Sequence, residues 1–188
     1  MKGTQHSTLK IQNSSINSPI RSSTLLTHPF KPIIDKTSEI LILGTFPSIK
    51  SFENDFYYSH PKNQFWKILA LIFNEKEPKT IKEKIEFLKK YKIALWDTIC
   101  ECTRDKGNSR DDNLKNIKPC HLENLLKKHS NIKKVAVTSR LAENVIKKYF
   151  KNSSFSILHS SLYLPSPSPL NARINLNEKA KKWKKLLQ

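Results

Sequence analysis

The sequence predicts an α/β protein of three layers, in which helices cover both faces of a central, mostly parallel sheet of four strands. Apolar runs alternate with segments in which apolar residues recur every three or four positions, which is the order of βαβ units. The first run, residues 39–44, is almost unbroken and ends in Gly, as is typical of a parallel strand buried on both faces. A chain of 188 residues is long enough to form one domain around such a sheet.

The helices and strands are predicted from the spacing of the apolar residues. The predicted strands cover residues 39–44, 92–96, 131–138 and 155–158. The predicted helices cover residues 63–73, 79–90, 119–129, 140–150 and 176–187. Polar or proline-rich segments without a helical period are predicted to be loops, at residues 45–62, 98–118 and 163–172. The loops after the first and last strands leave from the carboxyl ends of a parallel sheet, so we expect them to meet at one site.

Residues 1–27 differ from the remainder of the chain. They are rich in Ser, Thr, Asn and Gln and show no sustained apolar period, which predicts a disordered basic extension. A folded strand in this segment is the alternative. The predicted organisation is therefore the extension 1–27 followed by a single domain of residues 28–188, with order beginning near His28.

The charge of the chain points to a polyanionic partner. Lys and Arg number 34 against 16 Asp and Glu, so the formal net charge is +18. Such an excess is the electrostatic signature of proteins that bind nucleic acid. A nucleotide bias in the gene is the alternative, since Lys, Ile and Asn are all abundant and only five of the basic residues are Arg.

Several classes of protein are disfavoured by composition. No apolar run approaches the ~18 residues of a membrane span, and the N-terminus lacks the apolar stretch of a secretory signal. We therefore expect no membrane association and a cytoplasmic location, close to the nucleoid if the source is bacterial or archaeal. Only three glycines occur, which argues against a Walker or Rossmann phosphate loop.

The three cysteines indicate neither a disulfide framework nor a metal centre. An odd number favours a reducing compartment. Three thiolates cannot hold a four-iron cluster alone. Cys100, Cys102 and Cys120 with His121 also lack the usual spacing of a zinc site. The prediction is that the protein uses no metal and no cofactor.

Two segments of the chain carry recognisable chemistry. The first motif, residues 43–48 (Leu-Gly-Thr-Phe-Pro-Ser), is followed by residues 56–66, in which aromatic side chains flank a His-Pro-Lys-Asn stretch. The second, here named the Pro/Ser loop, is residues 164–172 (Leu-Pro-Ser-Pro-Ser-Pro-Leu-Asn-Ala). Together they resemble the uracil-DNA glycosylase superfamily, and most closely its hypoxanthine-DNA (deoxyinosine) glycosylase family. The likeness extends from His28 to the C-terminus, with further support at residues 93–97 and 107–115.

The resemblance implies a uracil-DNA glycosylase-like fold and a monofunctional DNA glycosylase of base-excision repair. Such an enzyme hydrolyses the N-glycosidic bond of a deaminated base that has been flipped out, because the bond is inaccessible within the stack. The implied base is hypoxanthine, with uracil as a second candidate. The implied partners are double- and single-stranded DNA containing deaminated bases, with no obligate protein partner and a monomeric enzyme. Two alternatives stay open: a mismatch-specific uracil/thymine glycosylase, and a catalytically degenerate homologue that binds nucleic acid.

The resemblance assigns the catalytic role to Asn63. Related mismatch-specific enzymes carry a water-positioning Asn two residues after the motif Gly, and that position is Phe46 here. No carboxylate occurs between Gly44 and Ser51 either. The hypoxanthine family relies instead on the Asn of its His-Pro-x-Asn stretch. An amide can orient a water beside the strained sugar without acting as a strong base. The alternative is that Asn63 only caps the following helix.

The other predicted site residues fall into two groups. The base pocket is expected to consist of Gly44, Thr45, Phe46, Pro47, Ser48, Tyr57, Tyr58 and His60. The expected DNA contacts are Lys62, Ser166, Pro167, Ser168, Pro169, Leu170 and Asn171. Serine hydroxyls can bind phosphate, and a wedge such as Leu170 can fill the gap that a flipped base leaves. The alternatives are ordinary core packing of the aromatic side chains and a plain connecting loop.

Two segments depart from the family pattern. Residues 107–114 carry an extra residue and an altered end, and Thr138-Ser139 stands where the family commonly has Asn-Gly. These departures leave the preferred base open. Asp111 and Asp112 are candidates for a general base, with a solvated loop as the alternative.

Overall fold

The computed structural model describes residues 23–105 and 110–188. The strands are β1 (Ser23–Thr27), β2 (Ile40–Gly44), β3 (Ile93–Asp97), β4 (Ile99–Asp105), β5 (Leu114–Pro119), β6 (Lys134–Val137) and β7 (Leu162–Tyr163). The helices are α1 (Ile49–Glu53), α2 (Phe65–Phe73), α3 (Ile81–Lys90), α4 (Leu122–Lys128), α5 (Arg140–Tyr149), α6 (Ser156–His159) and α7 (Leu176–Trp183). Short 3₁₀ turns occupy Asp111–Asn113 and Lys184–Leu187.

The main sheet contains four strands in the order β3-β2-β6-β7, and every pairing in it is parallel. The central strand β2 is buried on both faces, as its apolar sequence predicts. Helices α2, α3 and α7 contribute to the apolar cluster on one face. Helices α4, α5 and α6 contribute to the cluster on the other. The predicted three-layer α/β/α architecture is confirmed.

A second, smaller sheet lies within the segment that the sequence predicted to be an irregular loop. Strands β1, β4 and β5 pair antiparallel in the order β1-β4-β5. The prediction missed β4 and β5 because their exposed positions are polar and charged, and β5 buries only Leu114 fully. This sheet packs over a small apolar cluster around Phe46 and Ile99, so it reaches the first motif.

The folded part of the chain begins earlier than predicted, within the segment that was assigned to the extension. Strand β1 (Ser23–Thr27) belongs to the folded part and pairs with β4 along its whole length. Leu26 supplies the physical reason, because it is partly buried against the small apolar cluster. The remainder of the predicted extension, residues 1–22, lies outside the described residues.

Two local predictions along the main sheet are corrected. Residues 155–158, predicted to be the fourth strand, lie largely in helix α6, and the fourth strand is the two-residue β7. A short apolar run does not distinguish a strand from a buried helical turn. The predicted loop 45–62 contains helix α1, which begins after Ser48.

The cysteines also differ from expectation. Cys100 and Cys120 form a disulfide that joins β4 to the segment before α4. Cys102 is free and buried. Sequence spacing gave no sign of this pairing, because the two residues become neighbours only through the second sheet. Separately, none of the helices in the described ranges has the length and apolar character required to cross a bilayer.

Candidate active site

A cavity of about 630 Å³ opens at the carboxyl ends of β2, β3 and β6. The predicted residues that line it are Gly44, Thr45, Phe46, Pro47, Ser48, Tyr57, Tyr58, Asn63, Ser166, Pro167, Ser168, Leu170 and Asn171. The first motif and the Pro/Ser loop therefore meet at one site, at the sheet edge where ligands of open α/β sheets bind. Its volume is in the range of sites that enclose small molecules.

Gly44 ends β2 at the floor of this cavity, where only a glycine fits. A Cβ atom at this position would lie 2.1 Å from Oδ1 of Asp97 and 2.9 Å from Oη of Tyr58. Both distances are shorter than van der Waals contact. The absent side chain thus allows a carboxylate and a phenol to approach the backbone of the central strand.

The buried Asp97 carboxylate is hydrogen-bonded to His28. Its Oδ2 lies 2.7 Å from Nε2 of His28, and both side chains are almost fully enclosed. The imidazole Nδ1 lies 3.0 Å from the carbonyl oxygen of Phe30 and 3.2 Å from its amide nitrogen. It can donate to the carbonyl when protonated or accept from the amide when neutral. The pair therefore holds the Asp97 carboxylate at the cavity floor in either state of the ring.

Aromatic side chains form one wall of the cavity. The ring of Tyr58 stacks on Phe65 with centroids 3.8 Å apart, and its hydroxyl lies 3.3 Å from Oγ1 of Thr138. Tyr58 has a φ of 51°, a left-handed conformation that is costly for an aromatic residue and often marks a functional site. Burial, with the nearby Asp97 charge, raises the pKa of both Tyr57 and Tyr58. Both phenols therefore stay neutral hydrogen-bonding groups.

Asn63 lines the cavity, and the oxygen of its side-chain amide already accepts a hydrogen bond. Its Oδ1 accepts a hydrogen bond of 2.9 Å from the backbone N–H of Phe65 at the start of α2. Gln64, not Asn63, occupies the N-cap position and makes no side-chain cap bond. Nδ2 of Asn63 forms no hydrogen bond with residues 23–105 or 110–188. The side chain thus stabilises the helix start through its oxygen and retains its N–H groups as donors.

The remainder of the first motif is held from outside the cavity. Ser48 caps α1, accepting a hydrogen bond from the N–H of Ser51. Buried Arg104, on β4, donates from Nη1 to the carbonyl oxygen of Pro47 at 3.0 Å. Its guanidinium also lies 5.2 Å from the centroid of the Phe46 ring. The small sheet therefore fixes the motif loop from behind.

A second carboxylate enters the cavity from the 3₁₀ turn. Thr45 Oγ1 donates to Oδ2 of Asp111 at 2.9 Å and lies 2.6 Å from Oγ of Ser139. Ser139 is the N-cap of α5 and accepts from the N–H of Ala142. Burial is the main influence on Asp111 and raises the pKa of its carboxyl, while the hydroxyl hydrogen bonds and the Arg104 charge act in the opposite direction.

The Pro/Ser loop is anchored to helices α2 and α7. The N–H of Gln64 donates to the carbonyl oxygen of Pro167 at 2.9 Å. Nζ of buried Lys179 donates to Oε1 of Gln64 at 2.8 Å, and burial lowers the pKa of this lysine. Leu170, at the tip, is 63% exposed. The loop thus presents an apolar side chain to solvent from a fixed base.

Three predicted site residues do not line the cavity. His60 accepts from the N–H of Lys62 through Nδ1, the local role that a histidine before proline commonly takes. Its place in the base pocket stays a prediction. Lys62 and Pro169 also lie outside the lining, and Lys62 is exposed. As predicted DNA contacts, neither is tested by cavity position.

Sequence reasoning did not assign several lining residues to the site. These are Phe30, Ser51, Asp97, Arg110, Thr138, Ser139 and Arg173. Asp97 ends β3 and Thr138 follows β6, the strands that flank β2. The rule that ligands bind at the carboxyl ends of parallel strands contained that signal. Asp111 was considered only as a weak base candidate, because nothing in the sequence places its turn beside Thr45.

Comparison with known proteins agrees with this geometry. Residues 32–187 match the family model described as the uracil DNA glycosylase superfamily. A protein named hypoxanthine DNA glycosylase from Methanosarcina barkeri (strain Fusaro) is 40% identical over 80 residues, covering 42% of this chain and 50% of the relative. One of the same name from Methanosarcina acetivorans is 32% identical over 82 residues, covering 43% and 52%. The matched part of the chain spans about half the length of these curated relatives.

A solved structure shares the fold. The solution NMR structure of a candidate uracil DNA glycosylase from Methanosarcina acetivorans superposes with a TM-score of 0.69 at 23% identity. The alignment covers 88% of this chain and all of that one. A solved protein has the same architecture, and the family model matches most of this chain. The chain therefore belongs to the uracil DNA glycosylase superfamily.

Proposed function

We propose that this protein is a monofunctional DNA glycosylase that hydrolyses the N-glycosidic bond of a deaminated base, foremost hypoxanthine. The observation that carries the proposal is the cavity at the carboxyl edge of the main sheet. It combines aromatic walls, a donor amide at Asn63 and the carboxylates of Asp97, Asp111 and Asp112. The names of the two curated relatives support hypoxanthine as the base.

The cavity chemistry fits a base that has left the duplex. Flipping costs a few kcal/mol, and stacking on aromatic rings such as Phe46 and Tyr58 offsets part of it. Lactam bases present both a carbonyl and an N–H, and the cavity offers hydroxyl donors and carboxylate acceptors to such an edge. No lysine is among the lining residues in the described part of the chain. Hydrolysis by water, without a Schiff base, is therefore the proposed reaction.

The proposed substrate is DNA, double- or single-stranded. The net charge of +18 favours a polyanion, and Arg173 stands at the cavity beside the Pro/Ser loop. The exposed Leu170 is proposed to enter the stack in place of the flipped nucleotide. Ser166 and Ser168 are proposed to bind the flanking phosphates. We further propose that the enzyme acts as a monomer in the cytoplasm.

A panel of damaged duplexes tests the proposal. Duplexes that contain inosine, uracil, a G·T mismatch or xanthine are incubated with the protein and then treated with hot alkali, which cuts at abasic sites. Cleavage at inosine is expected. Cleavage only at uracil and G·T would favour a mismatch-specific uracil/thymine glycosylase. Binding without cleavage of any duplex would favour the alternative of a nucleic-acid-binding homologue that has no catalytic activity.

Two substitutions separate chemistry from DNA retention. Asn63→Ala is expected to lower the single-turnover rate on inosine by about 10²–10³-fold in both single-stranded and duplex DNA, the usual effect of one positioned polar group. Leu170→Ala is expected to lower the rate mainly in duplex, where the flipped state must be held open. Exposed Asn152→Ala is the control. A wild-type rate for folded Asn63→Ala would show that Asn63 serves only the helix start.

A further inference from the structure

We propose that Asp111 supplies the water-activating carboxylate that the first motif lacks. The inference deepens the proposed function and rests on it. In sequence, no carboxylate occurs between Gly44 and Ser51. In space, the Asp111 carboxylate reaches the same loop from the 3₁₀ turn before β5, with Oδ2 2.9 Å from Oγ1 of Thr45, the residue after Gly44. The side chain lines the cavity that receives the base.

The orientation of the Asp111 carboxylate is fixed by a chain of hydrogen bonds. Ser139 Oγ accepts from the N–H of Ala142 at 2.9 Å, so its own hydrogen is available to a neighbour. Ser139 and Thr45 lie 2.6 Å apart, and Thr45 donates to Asp111. The chain begins at the N-terminus of α5, a helix of 10 residues, and ends at the carboxylate. Such polarised chains hold the last acceptor in place.

This arrangement leaves Asp111 able to accept from a water molecule. A carboxylate has about four acceptor sites, and the hydroxyls of Thr45 and Ser139 fill at most two. Burial also raises the pKa of Asp111 above that of an ordinary aspartate, which makes it a better proton acceptor. Two charged groups face it: Arg104 lowers the pKa and Asp97 raises it.

The other polar groups of the cavity are less suited to this task. Asn63 has committed its oxygen to the Phe65 N–H, so it donates to the cavity and takes no proton. Oδ2 of Asp97 is paired with Nε2 of His28 at 2.7 Å, and its Oδ1 packs against Gly44. Asp112 is paired with Arg110. Asp111 is the carboxylate of the described lining whose hydrogen-bond partners are hydroxyl groups.

The oxygen of a water attacks C1′ of the flipped nucleotide while the bond between C1′ and the base nitrogen breaks. The electron pair of that bond leaves with the base. Asp111 takes one proton from the attacking water, whose oxygen stays on C1′ as a hydroxyl. The proton then passes to the departed base nitrogen, directly or through solvent, and Asp111 regains its charge.

The decisive variant is Asp111→Asn, which retains the size of the side chain and an oxygen for Thr45. Its single-turnover rate on inosine duplex is expected to fall by about 10²–10³-fold, as when a positioned base is removed. Its affinity for undamaged duplex is expected to stay within about twofold of wild type. Asp55→Asn, at an exposed residue outside the cavity, is the matched control and should retain the wild-type rate.

A pH profile gives a readout that a structural role would not change. The wild-type rate is expected to rise with pH through an acidic limb as Asp111 ionises, and this limb is expected to disappear in Asp111→Asn. Asp111→Glu, which preserves the carboxylate, should recover part of the rate. If Asp111→Asn does not fold, two other results can overturn the inference. One is a wild-type profile that is flat across the acidic range. The other is an Asp111→Glu rate as low as that of a catalytically dead protein.

The outcomes also separate this inference from the proposed function. If the wild type cuts no damaged duplex, the proposed function fails and the role of Asp111 fails with it. If the wild type cuts inosine and folded Asp111→Asn cuts it equally fast, only the inference fails. If Asp111→Asn loses rate and DNA affinity together, Asp111 has a structural role and the inference is also overturned.

Discussion

The two sheets of this protein contribute to the cavity in different ways. The main parallel sheet supplies the floor, where Gly44 and Asp97 end neighbouring strands. The small antiparallel sheet lies beside the motif loop and supplies Arg104 behind it and the turn that carries Asp111. The main sheet is buried between two helical layers, whereas β5 of the small sheet is mostly exposed. The main sheet therefore determines where the site lies, and the small sheet supplies part of its proposed chemistry.

This difference has consequences for stability. A change in the floor of the cavity meets closely packed atoms of the main sheet, so it is expected to disturb the whole domain. A change in the small sheet meets fewer neighbours, and its effect is expected to stay near the first motif. The following predictions test that contrast, in order of decreasing effect.

Gly44→Ala is expected to have the largest effect. Its Cβ would lie 2.1 Å from Oδ1 of Asp97, so either the strand or the carboxylate must move. We expect a loss of about 3 kcal/mol in the free energy of unfolding, at the upper end for overpacking, measured by denaturant unfolding. The double variant Gly44→Ala with Asp97→Ala is expected to lose less than the sum of the two single changes. Strict additivity would show that this contact is not the cause.

Arg104→Met tests the support of the first motif by the small sheet. It removes the hydrogen bond to the Pro47 carbonyl and the contact with the Phe46 ring. A loss of about 1–3 kcal/mol is expected, because a buried acceptor loses a charged donor. Lys115→Met, on an exposed position of the same sheet, is the control. If both variants unfold at the same denaturant concentration, Arg104 does not support the loop.

Removal of β1 measures the contribution of the edge strand. A chain that begins at His28 is compared with one that begins at Ser23. We expect the shorter chain to lose about 1–2 kcal/mol, mainly from Leu26 and the pairing with β4. This corresponds to a fall of roughly 2–8 °C in Tm for a chain of this size, measured by calorimetry. Equal Tm values would restore His28 as the start of the folded domain.

Asp111→Asn is expected to have the smallest effect on stability, and one of opposite sign. Burial raises the folded-state pKa of Asp111 above its ordinary value of 3.8. The contribution of this carboxyl to stability is therefore fully present below the unfolded pKa and is lost as pH rises through the folded pKa. Asparagine does not ionise, so the variant should have a higher Tm than wild type at neutral pH.

The same comparison across pH checks the sign. The difference in Tm between Asp111→Asn and wild type is expected to shrink as pH falls below the raised pKa of Asp111, because the carboxyl is then protonated. Asp55→Asn serves as the control for an exposed Asp-to-Asn change. A variant that is less stable than wild type at neutral pH would show that the hydrogen bond from Thr45 outweighs burial.

The parts of the fold that could be predicted from the sequence are those in which apolar residues recur with a regular spacing. Residues 40–44 form an apolar run that only a buried strand explains, and the motif residues beside it line the cavity as expected. Strand β5 gave no such signal, because an exposed antiparallel strand alternates polar side chains like a loop. Asp111 was a candidate general base without a predicted place beside Thr45, and His28 was not assigned to the site, since their positions depend on tertiary pairing of β1, β4 and β5.

The contacts that build the cavity join segments far apart along the chain. Thr45 contacts residues 66 and 94 positions later, at Asp111 and Ser139. Gln64 contacts Lys179, 115 positions later. Contacts of such separation form slowly, and the ribosome delivers the chain from its N-terminus at about 5–20 residues per second. A nascent chain that already displays the first motif, Asp97 and Asp111 thus still lacks the lysine that anchors Gln64 beneath the Pro/Ser loop, and the cavity is completed only after Lys179 has been synthesised.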